Sequence, residues 1–251
     1  MYSSRYEGRT AVVTGAGSGI GQATVVRLVG EGARVIGCDV NEAGLAVTTE
    51  RLGDLSPGAE LLVGDITDQG FVDRVVGAAG RVDMLANVAG VMDHFVPLGE
   101  LDDELWDRVI AVNLTAVMRM TRAVIPGMVS VGSGSIVTVA SKASLGGGSS
   151  GVSYAASKHG VLGLVRHVAY FYGPAGIRSN AVLPGGVATG IGASAAPTVS
   201  WAMERAQLSM ATMGPIASPD QIASAISWMG SDEAANVNGA ILQSDGGWSA
   251  A

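Results

Sequence analysis

A glycine-rich turn near the N-terminus constrains the fold more than any other feature of this chain. The apolar run Thr10–Thr14 leads directly into Gly15-Ala-Gly-Ser-Gly-Ile-Gly21, and a helix-length segment follows. Glycines permit a tight turn, a close approach of the backbone to a ligand, and close packing of the helix on the strand. The amide groups at the start of such a helix attract phosphate. The strand–turn–helix context therefore predicts a dinucleotide-binding fold.

The rest of the chain alternates between short β-branched runs and longer amphipathic segments. We predict strands at Thr10–Thr14, Ala33–Cys38, Glu60–Val63, Val82–Asn87, Gly134–Ala140, Arg178–Leu183 and Ala240–Gln243. We predict helices at Gly19–Glu31, Glu42–Leu52, Asp68–Ala79, Glu104–Val129, Ser153–Tyr172 and Pro219–Met229. This alternation favours a parallel sheet with helices on both faces, so we expect one α/β domain over residues 1–251, a Rossmann-like doubly wound sheet of about seven strands.

Two segments are predicted to border a ligand. The glycine-serine run Gly146–Gly151 lies between a predicted strand and a predicted helix, and we interpret it as an active-site loop. A longer segment without a strand pattern suits a lid at about residues 187–217, although a pair of ordinary surface helices is the alternative. Its large apolar side chains are Trp201, Met203, Met210 and Met213.

Composition limits the class of protein. Of 251 residues, 48% are hydrophobic and 15% are charged, which fits a large buried core and excludes a disordered chain. The mean hydropathy of +0.37 is high, and either a sheet buried on both faces or apolar surface covered between subunits explains it. Charged residues interrupt the apolar stretches, so no run of about 18 uncharged apolar residues indicates a membrane span.

Charge and cysteine usage exclude further classes. The net charge of −7 argues against nucleic acid or an anionic membrane as partner. The segment Met1–Arg9 has no apolar core of signal-peptide length, so we expect a cytoplasmic protein. The single cysteine, Cys38, excludes an internal disulfide and reads as a small core residue. The histidines form no metal-binding pattern with it, and we predict no metal site.

A carboxylate follows the second predicted strand. Asp39 stands eighteen residues after Gly21, where a dinucleotide-binding fold places a carboxylate on the adenosine ribose hydroxyls. It would repel the additional 2′-phosphate of NADP, and the nearby Ser18, Val40 and Asn41 carry no charge to offset it. One charge pair 4 Å apart at an effective dielectric near 20 is worth about 4 kcal/mol, so we predict NAD as cofactor. The alternative is that Asp39 only caps the next helix.

A tyrosine–lysine pair is the candidate for proton transfer. Tyr154 and Lys158 are four residues apart in a predicted helix and therefore project from one face. A tyrosine with a pKa near 10 is a poor base at neutral pH, and a nearby ammonium group lowers that pKa. Many helices contain such a pair by chance, so its meaning depends on the motifs around it.

The pair belongs to a longer ordered pattern. Its motifs are Thr14-Gly-x-x-x-Gly-x-Gly21, Asn87-Val-Ala-Gly90, Asn113, Ser141, Tyr154-x-x-x-Lys158 and Pro184-Gly185. In this order and at these spacings they closely resemble the classical branch of the short-chain dehydrogenase/reductase family, and the resemblance extends from Tyr6 to the Asp245-Gly246-Gly247 near the C-terminus. It implies an oxidoreductase that interconverts a secondary alcohol and a ketone, and Asp39 makes NAD the expected cofactor.

The resemblance implies a catalytic role for four side chains. Tyr154 is expected to exchange a proton with the substrate oxygen, and Ser141 to hydrogen-bond that oxygen. Lys158 would hold the ribose of the nicotinamide half and lower the pKa of Tyr154. Asn113 would help to hold a water that links the lysine to solvent; a helix-interior asparagine that faces water is the alternative. The family's usual Ser-Ser is Ala140-Ser141 here, which leaves the catalytic serine in place.

The resemblance also implies cofactor contacts along the chain. They are Gly15, Ser18, Gly19 and Ile20 in the turn, Asp39, Val40, Asp65 and Ile66 at the adenosine, Asn87, Ala89 and Gly90 after the fourth strand, and Pro184, Gly185, Val187 and Thr189 at the nicotinamide, together with Tyr154 and Lys158. A backbone contact from Val187 would fix which face of the nicotinamide ring transfers hydride.

The predicted substrate pocket is mainly apolar. It comprises Met92–Pro97, Ala143–Ser153 and Gly190–Met213, with Val91, Met92, Phe95, Trp201, Met203 and Met213 as its apolar side chains. Such a site suits a small hydrophobic alcohol or ketone. A 3-oxoacyl-thioester reductase of the same family is the alternative, although most of these use NADPH. A catalytically silent NAD-binding regulatory protein is less favoured, because no catalytic side chain is missing. Family members usually form tetramers, so we expect a homotetramer.

Overall fold

A computed structural model describes residues 4–191 and 198–250 of the chain. The strands are β1 (Thr10–Thr14), β2 (Arg34–Asp39), β3 (Ala59–Val63), β4 (Met84–Asn87), β5 (Gly134–Val139), β6 (Ile177–Pro184) and β7 (Ile241–Ser244). They form one sheet in the order β3-β2-β1-β4-β5-β6-β7, and every neighbouring pair is parallel. This confirms the predicted doubly wound α/β fold of seven strands.

The central strands are buried because helices cover both faces of the sheet. β4 and β5 are buried at every residue, which explains their nearly continuous apolar sequences. Predicted strand ends differ from the observed ones by two residues at most. The largest difference is at β4, which begins at Met84 and not at Val82. There the carboxylate of Asp83 accepts a hydrogen bond from the Thr10 backbone at 2.9 Å, ahead of the strand ladder.

Eight helices flank the sheet in the described residues. They are α1 (Gly19–Gly30), α2 (Glu42–Leu52), α3 (Gln69–Ala79), α4 (Asp103–Ile110), α5 (Ala116–Val131), α6 (Val152–Tyr172), α7 (Ser200–Met210) and α8 (Pro219–Gly230). The apolar side chains of α1, α2 and α8 form one core layer, and those of α3, α5 and the C-terminal half of α6 form a layer on the opposite face. The helices predicted from the sequence are all present, and α7 is additional.

One predicted helix, Glu104–Val129, contains an irregular turn. α4 and α5 are joined without a break by a π-helical turn at Ala111–Thr115. Such a turn holds an extra residue and is frequent at functional sites. Asp103–Val131 is the one described helix whose length and composition would let it cross a membrane, with a mean hydropathy of 1.3. It carries Arg119 within the helix and packs against the sheet.

The predicted lid is partly a helix. Within residues 187–217, α7 places Ala206 against the buried ring of Phe95, so the lid region packs on the loop after β4. Val187 pairs with Ala217 in an isolated parallel bridge, which brings the two ends of the region together. Residues 192–197 of the predicted lid lie outside the described residues.

Candidate active site

A cleft of about 420 Å³ opens at the carboxyl ends of the strands. β1 is flanked there by β2 on one side and β4 on the other, which is the switch point where doubly wound sheets bind ligands. The predicted cofactor residues in its lining are Gly15, Ser18, Gly19, Ile20, Asp39, Val40, Asp65, Ile66, Ala89, Gly90 and Thr189. The lining also contains Gly21 of the predicted turn and Val91 of the predicted substrate pocket, and sequence reasoning missed others, among them Cys38, Gly64, Arg108, Val112 and Ile191.

The glycine turn is tight because its backbone passes very close to itself. Gly15 has a φ of +73°, a left-handed conformation that favours glycine. A β-carbon on Gly21 would lie 1.9 Å from the carbonyl oxygen of Gly15, and one on Gly15 would lie 2.9 Å from the backbone of Ala89. Side chains at these positions would fill the space in which backbone and ligand meet.

The start of α1 is suited to an anion. Ser18 is the N-cap of the helix, and its side chain makes no capping hydrogen bond. The amides of a first helical turn have no partner within the helix, so here they remain available to a phosphate. At the other wall, the Thr189 hydroxyl is buried and has no hydrogen-bond partner within the protein. The backbone cradle, the uncapped helix and this hydroxyl fit a bound dinucleotide.

Asp39 is held in a fixed orientation at the adenosine end of the cleft. Its two carboxylate oxygens accept hydrogen bonds from the backbones of Gly17 and Asn41, each at 2.9 Å. The side chain that caps α2 is Asn41, which accepts from Gly44 at 3.0 Å. The alternative reading of Asp39 as the helix cap is therefore wrong. Among the lining residues that the structure describes, Arg108 is the one cation.

Six predicted cofactor residues lie outside the described lining, namely the two catalytic residues Tyr154 and Lys158, and Asn87, Pro184, Gly185 and Val187. Asn87 is buried, and its amide donates to the hydroxyl of Thr121 at 3.2 Å. Three lie at the end of β6 or just after it: Pro184 is its last residue, Gly185 packs against Asp245, and Val187 forms the bridge to Ala217. Direct contact of these residues with a cofactor stays a prediction.

The structure brings the four predicted catalytic side chains together. Ser141 follows β5 and is hydrogen-bonded to the Tyr154 phenol. The Lys158 ammonium lies 5.6 Å from the centre of the Tyr154 ring. A β-carbon on Gly90 would lie 3.3 Å from the Asn113 amide oxygen and 3.5 Å from the Lys158 ammonium, so both groups flank this glycine.

Asn113 faces the protein interior from within the π-turn. Its side chain is fully buried and exchanges hydrogen bonds with the backbone of Val91, at 2.8 and 2.9 Å. Its amide also donates to the Ser157 hydroxyl at 3.2 Å. The alternative of a helix-interior asparagine facing water is wrong. The extra residue of the turn rotates Asn113 toward the loop after β4.

Burial controls the protonation of the proton-transfer pair. It raises the pKa of Tyr154 to about 12; the hydrogen bond with Ser141 opposes the rise, and the charge of Asp93 adds to it. Burial lowers the pKa of Lys158 to about 8. The sequence led us to expect a lowered tyrosine pKa. The lysine donates instead to the carbonyl of Val139 at 2.8 Å, and desolvation dominates, so the phenol is a proton donor at neutral pH.

The surroundings of Tyr154 are apolar, as predicted. The buried or half-buried side chains packed with it are Val91, Met92, Leu105, Val109 and Ala143. Phe95 is also buried, against α7. Trp201 differs from the prediction. It is 52% exposed and its indole N–H donates to Glu100 at 3.2 Å, so it lies on the open side of α7 and not inside a closed pocket.

Comparisons with known proteins agree with this geometry. The sequence profile of the family described as short chain dehydrogenase matches residues 9–200. A 3beta-hydroxysteroid dehydrogenase of Eggerthella lenta is 37% identical, over 97% of this chain and 95% of that protein. A short chain dehydrogenase of Penicillium roqueforti is 38% identical, over 95% of this chain and 96% of its own length.

Solved structures of similar fold are also named as dehydrogenases or reductases. The crystal structure of levodione reductase superimposes with a TM-score of 0.89 at 33% identity, covering 98% of this chain and 100% of that one. A structure from Beutenbergia cavernae, described as an inferred NAD(P) dependent gluconate 5-dehydrogenase with NADP bound at low occupancy, gives a TM-score of 0.87 at 36% identity, with 99% of each chain covered.

Proposed function

The chain belongs to the short-chain dehydrogenase family, and from this premise we propose that it is an NAD(H)-dependent oxidoreductase that interconverts a hydrophobic secondary alcohol and its ketone. The observation that carries the proposal is the hydrogen-bonded pair of Ser141 and Tyr154 beside Lys158, whose ammonium group would lie 3.5 Å from a β-carbon on Gly90 in the cleft lining. No side chain of the predicted catalytic set is missing from this arrangement.

The protein groups divide the work of ketone reduction. Ser141 donates a hydrogen bond to the carbonyl oxygen of the substrate and orients it. Tyr154, whose phenol is protonated at neutral pH, transfers its proton to that oxygen as negative charge develops there. When bound, the nicotinamide supplies the hydride to the carbonyl carbon, or takes it up in the reverse direction. Lys158 holds positive charge beside the phenolate that remains and stabilises it.

The proposed preference for NAD rests on Asp39. Two backbone amides hold its carboxylate at the end of β2, and it is half-buried, so it cannot turn away from a 2′-phosphate without losing both hydrogen bonds. Arg108 lines the same cleft together with Gly90 and Val112, and it also borders the neighbouring pocket at His94. Asp39 does not line that neighbouring pocket. The NADP in the Beutenbergia structure belongs to that protein.

The proposed substrate class rests on the apolar environment of the reacting phenol. Val91, Leu105 and Val109 surround Tyr154, and a hydrophobic ketone would bury its own apolar surface against them. The similar proteins are named for a hydroxysteroid, for levodione and for gluconate, so their names support oxidoreduction of an alcohol or ketone, and the hydrophobic class rests on the apolar side chains around Tyr154.

The test is a spectrophotometric assay of NADH formation with a panel of cyclic and acyclic secondary alcohols, and of NADH consumption with the matching ketones. We expect kcat/KM with NAD to exceed that with NADP by about 10-fold or more. Cofactor binding without turnover on any member of the panel would support the silent regulatory protein instead. A preference for NADPH and for 3-oxoacyl thioesters would instead identify the protein as a 3-oxoacyl-thioester reductase, the other alternative from the sequence.

We also propose that the protein works as a homotetramer. The C-terminal end of α6 exposes two neighbouring aromatic side chains, Tyr170 at 79% and Phe171 at 63%, and such surface is commonly covered between subunits. Multi-angle light scattering should give four times the chain mass. A monomeric mass would contradict this assembly.

A further inference from the structure

A buried carboxylate that the proposed mechanism does not use lies beneath Tyr154. Asp93 stands three residues after Gly90, in the loop that follows β4, and it is fully buried. One of its oxygens accepts from the backbone of Gly151 at 2.9 Å. The other accepts from the Ser153 hydroxyl at 3.1 Å and from the Tyr154 backbone at 2.8 Å. The donors are the residue just before α6, Gly151, and two residues of its first turn, Ser153 and Tyr154.

These contacts perform the task of a helix cap. The first amides of a helix have no partner within it, and an N-cap side chain normally accepts from the second or third of them. The N-cap of α6 is Gly151, which has no side chain with which to do this. A β-carbon there would lie 2.6 Å from an Asp93 oxygen, so the missing side chain is what lets the carboxylate reach the helix.

Asp93 carries its buried charge without a cation beside it. None of the ion pairs formed by the described residues includes it. Burying a charge is unfavourable unless hydrogen bonds and dipoles compensate it, and here the three donors and the positive end of α6 do so. Among the described residues, the groups that compensate this carboxylate are therefore those at the start of α6.

The conformation of the loop around Asp93 brings its carboxylate to the start of α6. The next two residues, His94 and Phe95, have φ angles of 53° and 54°, which side-chain-bearing residues rarely adopt. These φ angles turn the chain back on itself, so the Val96 amide donates to the Asp93 carbonyl at 3.0 Å. The Val96 carbonyl in turn accepts from the Val152 amide in α6 at 3.1 Å. Two residues before Asp93, Val91 is bonded to Asn113 through both its backbone groups. One short loop thus joins the π-turn to the start of α6.

We propose that Asp93 is a positioning residue: it supplies, from the loop after β4, the cap that fixes Tyr154 relative to Asn113. The inference rests on the proposed function, because its purpose is to place the phenol that transfers the proton. The same carboxylate also acts on the phenol through its charge. The other charged group facing the ring is Lys158 on α6, whereas the loop after β5 presents the neutral Ser141 and α4 presents the apolar Leu105 and Val109.

The two effects call for two variants. Asp93→Asn keeps the shape and one acceptor oxygen but removes the negative charge that raises the pKa of Tyr154. Asp93→Ala removes the cap altogether. Asp68→Asn is the matched control, because Asp68 caps α3 by accepting from Gly70 at 3.0 Å and has no contact with Tyr154.

Three measurements follow. The pH profile of alcohol oxidation tests the effect of the Asp93 charge on Tyr154. Because that charge raises the pKa of the phenol, the rising limb of the profile should move to lower pH by roughly half a unit or more in Asp93→Asn. Steady-state kinetics report the position; with Asp93→Ala, kcat should fall about 10- to 100-fold, because small displacements of a reacting group have effects of this size. Hydrogen exchange of the amides in the first turn of α6 should become faster in Asp93→Ala, while the dissociation constant for NADH changes little.

The outcomes separate the two proposals. Unchanged kcat, pH profile and α6 exchange in both Asp93 variants, matching Asp68→Asn, would overturn the role of Asp93. A general loss of thermal stability in Asp93→Ala with an unshifted profile in Asp93→Asn would do the same, because the residue would then be merely structural. If the wild-type protein turns over no alcohol or ketone, the proposed function fails. The phenol titration, read as an ultraviolet difference against Tyr154→Phe, and the exchange of α6 still test Asp93 in that case.

Discussion

The carbonyl oxygen of Gly15 lies 1.9 Å from the position that a β-carbon on Gly21 would occupy. The two glycines therefore fix the distance between the end of β1 and the first turn of α1. Any larger residue at position 21 must push the helix away from the strand, and with it the amides that face the cleft.

Gly21→Ala should therefore weaken NADH binding by about 10-fold or more and lower the melting temperature, since backbone cannot yield as a flexible side chain would. Gly77→Ala is the control. It places the same methyl group in α3, where a β-carbon meets no atom within 4 Å, and should leave NADH binding unchanged. Fluorescence titration with NADH and a thermal melt measure both. Equal effects of the two substitutions would contradict this reading of the turn.

Tyr154→Phe should reduce kcat by about 100- to 10,000-fold, the range that proton transfer by a positioned side chain contributes. The ring remains in its apolar surroundings, so folding and cofactor binding should be preserved. Steady-state assay of alcohol oxidation beside an NADH titration checks this. Retention of most of the activity would refute the assignment of Tyr154 as the proton-transfer group.

Asp39→Asn should relax the cofactor preference. The amide keeps the size of the side chain but removes the charge that repels a 2′-phosphate, so the ratio of kcat/KM for NAD to that for NADP should fall about 10-fold or more. Glu60→Gln, on the neighbouring strand β3, is a charge-matched control. An unchanged ratio in Asp39→Asn would place the origin of the preference elsewhere.

Ketone reduction should depend on pH through Lys158. Burial disfavours its charged form and lowers its pKa to about 8, whereas the pKa of Tyr154 is raised to about 12. As pH rises through about 8, the ammonium group loses its proton first, so kcat/KM for reduction should fall in that range while the phenol is still protonated. Because kcat/KM reports the free enzyme, the profile should be measured with NADH as the varied substrate. A flat profile across this range would be inconsistent with the buried amine.

A buried acidic residue far from the cleft should control stability. Glu31, at the end of α1, has a fully buried side chain that pairs with Arg5 at 3.1 Å and with Arg27, and Ser227 of α8 donates to it. Glu31→Ala removes one buried carboxylate partner from each of Arg5 and Arg27, together with the acceptor of the Ser227 hydroxyl, and should lower the free energy of unfolding by about 2 kcal/mol.

The matched control for this prediction is Glu60→Ala. Glu60 pairs with Arg34 at 3.3 Å, but both side chains are about half exposed, so the loss should be below about 1 kcal/mol. Urea unfolding of the two variants gives the comparison. Equal losses would mean that burial adds nothing to the Glu31 pairs.

Periodicity predicted the fold well because each strand and helix carries its own local signal. β1 and α2 were placed at their observed ends, and the alternation of elements correctly predicted a parallel sheet of seven strands, although not the order of the strands within it. The lid helix α7 was not assigned, because its sequence mixes charged and apolar residues without a clear face. The π-turn was missed for another reason. One extra residue hardly disturbs an apolar pattern of nearly thirty residues.

The site was predictable where its residues form short sequence motifs, and less so where it depends on contacts between residues far apart in the sequence. The glycine turn, Ser141, Tyr154 and Lys158 are such motifs. Asp93 was missed because a single acidic residue in a loop has no periodic signal. The available clue was indirect: a helix that begins at Gly151 without a capping side chain needs an acceptor from elsewhere. The raised pKa of Tyr154 depends on burial, which no spacing reveals.

The π-turn at Ala111–Thr115 also makes the length of its helix part of the site. One residue in a regular helix corresponds to a rotation of about 100°, so deleting a single residue between α4 and α5 would restore an even helix and swing Arg108 away from the cleft. The same deletion at the solvent-facing end of α5 would remove only part of a terminal turn. The number of residues between α4 and α5 is therefore as important to the site as the identity of the side chains there.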